Sequence, residues 1–212
     1  MLQMRVDGEP CTVVVTAGTF DDVLGMVEPE AAKRSRIVTA IRVNGVDEPA
    51  FREPTVRKRG LTDDDHVEVD TSSAEQLATS ALGDAARLIP ALCAGAAQIA
   101  EQLRTAHATD AARELGPLAE GLTLLVTLVQ AADAWAAAAG VARTDWLGPH
   151  VVAVAQTIDA LDEPQRTHDW VTVADILAYD LAPALEGWRG HLETARAAVA
   201  GPFGAEGHAA EN

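Results

Sequence analysis

The sequence changes character near residue 73, and this boundary constrains the fold more than any other feature. Before it, runs of β-branched residues alternate with turn residues and one short helical pattern. After it, Ala and Leu recur at helical spacing and no strand pattern appears. This predicts an α+β protein with a β-rich domain at residues 1–72, an all-α domain at residues 73–200 and a flexible tail at residues 201–212.

Short period-two runs separated by turn residues predict the strands of the first domain. Asp7-Gly8 and Asn44-Gly45 are typical of tight hairpin turns. Thr19 followed by Asp22 matches a capping box and predicts the start of a helix. The predicted strands are residues 2–6, 11–16, 37–43 and 67–69.

Two segments of the first domain resemble the β-grasp, or ubiquitin-like, family. They are Thr-Phe-Asp-Asp-Val-Leu at residues 19–24 and Gly-Leu-Thr-Asp-Asp-Asp-His-Val-Glu-Val at residues 60–69. The resemblance implies a β-grasp fold. It does not imply conjugation, because that chemistry needs an exposed diglycine terminus, and Asp-Thr-Ser-Ser at residues 70–73 leads into a helix instead. We therefore expect a fixed recognition module.

The second domain carries apolar residues at steps of three and four, the spacing that helix packing requires. Ser73 with Gln76 predicts the first helix start, and Leu115-Gly116-Pro117 is a candidate break in the second helix. Four helices with short first and last connections predict an up-down four-helix bundle. The predicted helices are residues 73–105, about 110–139, 150–161 and 169–199.

Proline occurs inside two of these helical patterns, in Leu-Ile-Pro-Ala-Leu at residues 88–92 and Leu-Ala-Pro-Ala-Leu at residues 181–185. An interior proline removes a hydrogen bond and costs about 3 kcal/mol. Pro90 and Pro183 are therefore candidates for bends that shape a shared groove. The alternative is that both are tolerated kinks that only shape the bundle.

The helical half resembles an uncharacterised bacterial bundle family and, more distantly, flagellar export chaperones. The resemblance rests on the two proline elements, on Ala-Glu-Gly-Leu at residues 119–122, and on Ala-Asp-Ile-Leu-Ala-Tyr-Asp-Leu at residues 174–181 leading into Trp188. It implies that the helices bind an amphipathic helix of a client protein in a hydrophobic groove.

The net charge of −16 limits the classes of partner. From residue 74 onward there are seven Arg, no Lys and eighteen acidic residues. Such a surface repels nucleic acid and anionic lipid and favours basic partners, although it also serves solubility alone. The basic clusters at residues 33–36 and 57–59 are expected to be solvated charges, so we expect no nucleic-acid partner.

The chain lacks the sequence signs of a membrane span, a metal site or an active site. Its longest uncharged stretch near the helical centre, residues 121–132, is too short to cross a bilayer. The six His show no ligand spacing, and Cys11 and Cys93 lie in different domains without metal-ligand neighbours. We therefore expect a cytoplasmic protein with reduced cysteines, no cofactor and no membrane partner.

Together these patterns favour a non-catalytic protein-binding adaptor or secretion-type chaperone. In this hypothesis the bundle binds an amphipathic client helix and the β-grasp module docks a second partner. Two alternatives stay open: a structural homodimer without a client, and an enzyme using Asp159, Asp175, Tyr179 and Glu186. The candidate partner-binding residues are Pro90, Trp135, Trp146, Tyr179, Pro183 and Trp188.

Overall fold

A five-stranded sheet occupies the first part of the described chain and helices make up most of the rest, so the protein is α+β. The computed structural model describes residues 2–11, 18–105, 108–141 and 148–201. The chain divides into two compact units, Met1–Ala74 and Glu75–Asn212.

The sheet has the strand order β2-β1-β5-β3-β4. β1 runs parallel to β5, whereas the β1–β2, β3–β5 and β3–β4 pairs are antiparallel. Burial alternates along β5, where Val67, Val69 and Thr71 face the interior, as expected for a strand with one covered face. The strands are β1 (Gln3–Val6), β2 (Glu9–Pro10), β3 (Arg36–Val43), β4 (Val46–Asp47) and β5 (His66–Ser73).

Both hairpin turns have two successive residues with positive φ. Asp7 and Gly8 (φ 52° and 82°) join β1 to β2, and Asn44 and Gly45 (φ 53° and 79°) join β3 to β4. Two positive φ values match the twist of the flanking strands, and Asn, Asp and Gly adopt them most readily. The predicted turns are confirmed.

The first helix, α1 (Phe20–Lys33), starts at the predicted capping box. The hydroxyl of Thr19 accepts the backbone N–H of Asp22, and the Asp22 carboxylate accepts the backbone N–H of Thr19. The apolar face of α1 joins the buried face of the sheet in one core, and a short helix, α2 (Pro54–Arg57), follows β4. The largest fully buried side chains of this core are Phe20, Val23, Leu24 and Ile41.

The structure confirms one strand prediction, differs from another, and does not describe most of a third. The predicted third strand, residues 37–43, is confirmed as β3. The last strand is longer than residues 67–69, because β5 continues to Ser73 and passes directly into the next helix. The predicted second strand, residues 11–16, lies outside the described residues except for Cys11.

The second unit consists of helices, and each predicted helical region is helical in the structure. The helix predicted at residues 150–161 ends close to its expected end, since α5 stops at Ala160, and a separate short helix then begins at Asp162. The predicted break at Pro117 does not occur, because α4 continues through it. The elements are α3 (Ala74–Arg104), α4 (Ala108–Ala138), α5 (Gly148–Ala160), α6 (Asp162–Thr167), α7 (Trp170–Asp175), a π-helical segment (Ile176–Leu181) and α8 (Ala182–Ala200).

α3 packs antiparallel to the composite helix formed by α7, the π segment and α8. The Cys93 thiol donates to the carbonyl of Ala182 (3.6 Å), and Arg104 forms an ion pair with Asp175 (2.8 Å). As the residue number rises in α3, the number of its partner falls, which defines the antiparallel direction. Trp188, Leu185 and Ile89 are fully buried in the shared core.

α4 and α5 each pack against a different part of this pair. Gly121 of α4 approaches Leu92 of α3, and Gly95 of α3 approaches Leu118 of α4, so these two helices are also antiparallel. α5 packs against the π segment and α8, where His150 contacts Trp188 and His191. The order of neighbours is therefore α4, α3, the composite helix and α5.

One described helix, α4 over Asp110–Ala138, is long and apolar enough to cross a membrane by length and composition alone. Only 28% of its most apolar window is buried in this structure. The same test is passed by core helices of soluble proteins, so it is weak evidence for a span. It does show that the apolar stretch extends beyond the uncharged residues 121–132.

Candidate functional site: an apolar groove along α4

An open apolar groove of about 680 Å³ runs between α4 and the α5–α6 segment, and we call it the α4–α5 groove. Its α4 wall extends from Ala112 to Gln130 at steps of three and four residues. At a rise of 1.5 Å per residue this wall is about 27 Å long. The groove therefore has the length of a helix of about five turns.

The opposite wall and the base of the groove are aliphatic except for Gln165. Four lining residues are less than a tenth exposed: Leu118, Leu122, Leu161 and Leu181. Ile158 stands at the edge with 41% of its surface exposed. An exposed Ile beside buried Leu side chains is apolar surface that a further side chain would cover favourably.

The polar groups of the α4 wall are largely satisfied within the helix. The Thr123 hydroxyl donates to the carbonyl of Ala119 (2.9 Å), and the Thr127 hydroxyl donates to the carbonyl of Thr123 (2.8 Å). Because each hydroxyl already donates to a carbonyl of its own helix, both hydrogen bonds would remain when an apolar side chain occupied the groove. The wall is thus more tolerant of apolar contacts than its composition indicates.

A second, smaller cavity of about 310 Å³ lies on the other side of α4, against α3. Its lining includes Leu88, Leu92 and Ile99 of α3 and Pro117 and Leu118 of α4. α4 is therefore flanked by unfilled space on both sides, which agrees with its low burial.

The two prolines singled out in the sequence do not line either cavity. Pro90 lies within α3 with its ring exposed, and Pro183 lies exposed at the start of α8. The carbonyl of Ala182, next to Pro183, accepts the Cys93 thiol. The groove runs along α4 and α5, so it is not one that these two prolines bend around.

The aromatic candidates are dispersed. Trp188 is fully buried between α8, α3 and α5, so a partner cannot reach it in this structure. Trp135 is half-buried against the same core, whereas Tyr179 is 69% exposed. Trp146 lies outside the described residues. None of the three described aromatic residues lines the α4–α5 groove.

The exposed ring of Tyr179 lies beneath the guanidinium of Arg104, 5.5 Å from its centroid. Arg104 also forms the ion pair with Asp175, and this pairing raises the pKa of Arg104. Glu186, another residue of the enzyme hypothesis, instead pairs with Arg189 on its own helix. The contacts of Arg104 thus join two helices, whereas the Glu186–Arg189 pair lies within one.

The π segment is the feature that sequence reasoning missed. Within it the Ala182 N–H bonds to the carbonyl of Leu177, five residues earlier. Proline has no N–H, so Pro183 cannot donate to the carbonyl of Tyr179, and the wider turn occurs immediately before it. Leu181, the last residue of this segment, forms part of the groove base.

A signal for the π segment was present in the sequence. The fully buried residues Val173, Leu177, Leu181 and Leu185 follow one another at three successive steps of four. In an α-helix, residues four apart differ by about 40° in their direction around the helix axis. In an unbroken α-helix Leu185 would therefore point away from the core. The wider turn compensates for this change of direction.

Two histidines meet where α5 packs on α8. The ring centroids of His150 and His191 are 4.2 Å apart, and His150 stacks on Trp188 at 6.5 Å. Burial, together with the nearby His191, lowers the pKa of His150. Across the described ranges, no group of three or more His, Cys, Asp or Glu side chains is placed to hold a metal ion.

Most of the basic residues in the sheet unit lie in ion pairs. Lys33 pairs with Glu30, Arg36 with Asp7, Arg57 with Asp21 and Arg59 with Glu48. The charges of these basic residues are therefore compensated by neighbouring carboxylates.

A family model described as Domain of unknown function (DUF8042) matches residues 80–191, just over half of the chain. No curated protein and no solved structure matches the chain. The matched residues include α4 to α7, the π segment and most of α3, and hence the whole lining of the α4–α5 groove. The chain belongs to the DUF8042 family.

Proposed function

We propose that this protein is a non-catalytic adaptor or secretion-type chaperone that binds an amphipathic helix of a client protein in the α4–α5 groove. The observation that carries the proposal is the groove itself, which is aliphatic at its base, open along one side and about five helical turns long. A client helix would insert one row of apolar side chains between the two walls.

The packing order of the helices supports this assignment. We take the second unit to be an up-down four-helix bundle in which α7, the π segment and α8 act as one helix. Three sides of such a bundle are closed by the contacts of α3 with α4, of α3 with the composite helix, and of α5 with that helix. The fourth side, between α4 and α5, is the groove, and an added helix would complete its packing.

The order and direction of the strands support a β-grasp, ubiquitin-like fold for the first unit, with β1 and β5 parallel at the centre of a mixed sheet. We propose that this unit docks a second partner as a fixed recognition module. Conjugation is not part of the proposal, because residues 70–73 belong to β5 and continue into α3.

A peptide-binding experiment on the full chain tests the groove. The probe is a fluorescent peptide of about 18 residues, the length that spans ~27 Å as a helix. Its apolar face is built from Leu and Ala, its remaining positions are Gln, and a side-chain staple keeps it helical when free. We expect saturable binding, measured as a rise in fluorescence anisotropy.

A matched pair of variants places the binding. Ile158→Arg puts a charge at the groove edge, whereas Val152→Arg makes the same change at a 53% exposed position of α5 outside the groove lining. Ile158→Arg should weaken binding at least about tenfold, because the guanidinium would be desolvated by the apolar row. Val152→Arg should change it less than about twofold. Circular dichroism must show both variants folded.

Three results would overturn the proposal: no saturable binding, equal loss in both variants, or no loss in either. A further result would favour the structural homodimer instead. In that case the protein binds no peptide but sediments as a dimer, and Ile158→Arg, but not Val152→Arg, dissociates it.

A further inference from the structure

Carboxylates without an ion-pair partner among the described residues stand on both walls of the α4–α5 groove. The basic residues of these walls are Arg113 on α4 and Arg166 on α6, and each is paired within its own helix turn, with Asp110 (3.1 Å) and with Glu163 respectively. Glu120 and Asp162 have no such partner in the part of the chain that the structure describes, and both are exposed. The groove edges therefore carry uncompensated negative charge.

Helical spacing places these two carboxylates beside the lining. Glu120 lies four residues after Gly116 and three before Thr123, which both line the groove. Asp162 follows the lining residue Leu161 and lies three residues before Gln165, which also lines it. Residues three and four apart share a helix face, so one carboxylate stands along each wall.

We propose that the partner helix carries Lys or Arg on both sides of its apolar row, pairing with Glu120 on one wall and with Asp162 on the other. This inference rests on the proposed function, because it takes the groove to be the site of a helix. It adds the charge pattern of the partner, which an apolar groove alone does not determine.

Electrostatics make the pattern selective for such a partner. A basic flank meets opposite charge on either wall, whereas an acidic flank meets like charge on both. Because the two carboxylates are exposed, each pair is expected to contribute modestly and to weaken with salt. The discrimination should therefore be several-fold and ionic-strength dependent.

The test compares three stapled peptides on the full-length protein. They share the Leu and Ala face described above and differ only in the positions that flank it, which are Gln, Lys or Glu. At low ionic strength we expect the Lys-flanked peptide to bind at least about fivefold more tightly than the Gln-flanked one, and the Glu-flanked peptide to bind most weakly. High salt should bring the three affinities together.

Charge-neutral variants assign the effect to the groove edges. The double variant Glu120→Gln/Asp162→Asn should abolish the preference for the Lys-flanked peptide and leave the Gln-flanked peptide within about twofold. A control, Asp84→Asn/Glu101→Gln, removes the same number of charges from α3, which does not line the groove. It should keep the preference.

The outcomes separate this inference from the proposed function. Equal binding of all three peptides, with Ile158→Arg still blocking them, leaves the helix-binding groove standing and overturns the basic partner. A preference that survives Glu120→Gln/Asp162→Asn, or that falls equally in the control, also overturns it, because the general acidity of the chain would be the cause. Failure of every peptide to bind overturns the proposed function itself.

Discussion

Gly121 of α4 lies so close to Leu92 of α3 that a β-carbon built on the glycine would be 2.6 Å from Leu92 Cδ2. Real β-carbons essentially never show that distance, so a side chain at this position would force the end of the Leu92 side chain to move. Leu92 is itself buried and lines the smaller cavity. The small size of Gly121 thus leaves room for the Leu92 side chain in its present position.

Gly121→Ala and Gly190→Ala should therefore differ although they are the same chemical change in a helix. Gly190 has open space where a β-carbon would go, so its replacement should raise the free energy of unfolding by about 0.5–1 kcal/mol. Gly121→Ala should leave the free energy of unfolding unchanged or lower it, because the Leu92 side chain must move. Urea denaturation of both variants measures the difference, and equal stabilisation would contradict the close approach.

Asp7 and Thr71 form a hydrogen-bonded pair that predicts an acid-dependent loss of stability. Burial tends to raise the pKa of Asp7, but the hydrogen bonds donated by the Thr71 hydroxyl and N–H (both 2.7 Å), together with Arg36, outweigh it and lower the pKa. A lowered carboxyl pKa stabilises the fold above the unfolded value of about 3.9, and the contribution is lost as the pH falls through the folded value.

Asp7→Asn should accordingly destabilise the sheet unit at neutral pH. The difference in free energy of unfolding between this variant and the unchanged protein should become smaller below about pH 4. Thr71→Val should cost about 1–2 kcal/mol, because it removes the buried hydroxyl that bonds both Asp7 and Arg36. Chemical denaturation across the acid range checks both. If the difference in free energy of unfolding between Asp7→Asn and the unchanged protein stays constant with pH, the pairing of Asp7 with Thr71 is contradicted.

His150 predicts a second pH effect, in the helical unit, where the folded state favours the neutral form of the side chain and not the charged form as at Asp7. The pKa of His150 lies below the ordinary value because burial and the neighbouring His191 disfavour the imidazolium. The folded state therefore binds fewer protons than the unfolded state once the pH falls below about 6.5. The contribution of neutral His150 to the free energy of unfolding is complete above that pH. It declines as the pH falls through the pKa of His150 in the folded state.

His150→Gln should flatten this dependence between about pH 7 and pH 5, as followed by thermal unfolding. NMR titration of the unchanged protein should show His150 losing its proton at a lower pH than a histidine in a model peptide. A normal titration curve would show that the contact with His191 and Trp188 is not formed in solution.

Cys93 should react slowly with thiol reagents although it is only half-buried. Burial raises the pKa of the thiol, the Glu186 carboxylate acts in the same direction, and Arg189 opposes them. The neutral thiol is the form that donates to the carbonyl of Ala182. Since the thiolate is the reactive species, alkylation at neutral pH should be slower than that of a free cysteine and should rise with pH. Mass spectrometry of the Cys93 peptide measures this rate.

The elements of the sheet unit could be predicted because their signals are local. A capping box, two hairpin turns and a period-two pattern each involve neighbouring residues, and Thr19, Asn44 and β3 lie where those patterns indicate. The full length of β5 was not predicted, because Thr71 is a polar residue whose burial depends on Asp7, far away in the sequence.

The helical unit was predicted in outline but not in its detailed packing. Periodicity predicts the helices, but a regular period of 3.6 residues from Leu181 favours Ala184 as the next buried residue, whereas Leu185 is fully buried and Ala184 only partly so. That difference reflects the π segment, which shifts the register of α8. Trp188, a candidate partner-binding residue in the sequence, is fully buried. The sequence could not show this, because a lone Trp on a helix does not reveal how many neighbours surround it.

The α4–α5 groove could not have been predicted from one helix at a time. It results from α4 packing on α3 and α5 packing on α8, so that the two walls face each other without touching closely. Sequence reasoning expected a groove and attached it to Pro90 and Pro183, which are both exposed.

The π segment also bears on how this helix tolerates insertions and deletions. Its wider turn accommodates about one more residue than an α-helical path over the same distance, so Val173 before it and Leu185 after it face the same core. Deleting one residue within Ile176–Leu181 would therefore turn the segment into a regular α-helix and leave the downstream residues in nearly the same direction around the helix axis. Trp188 and Leu192 would still face the core. This helix should therefore tolerate the loss of one residue here, whereas the same deletion in a regular α-helix would rotate everything after it by about 100°.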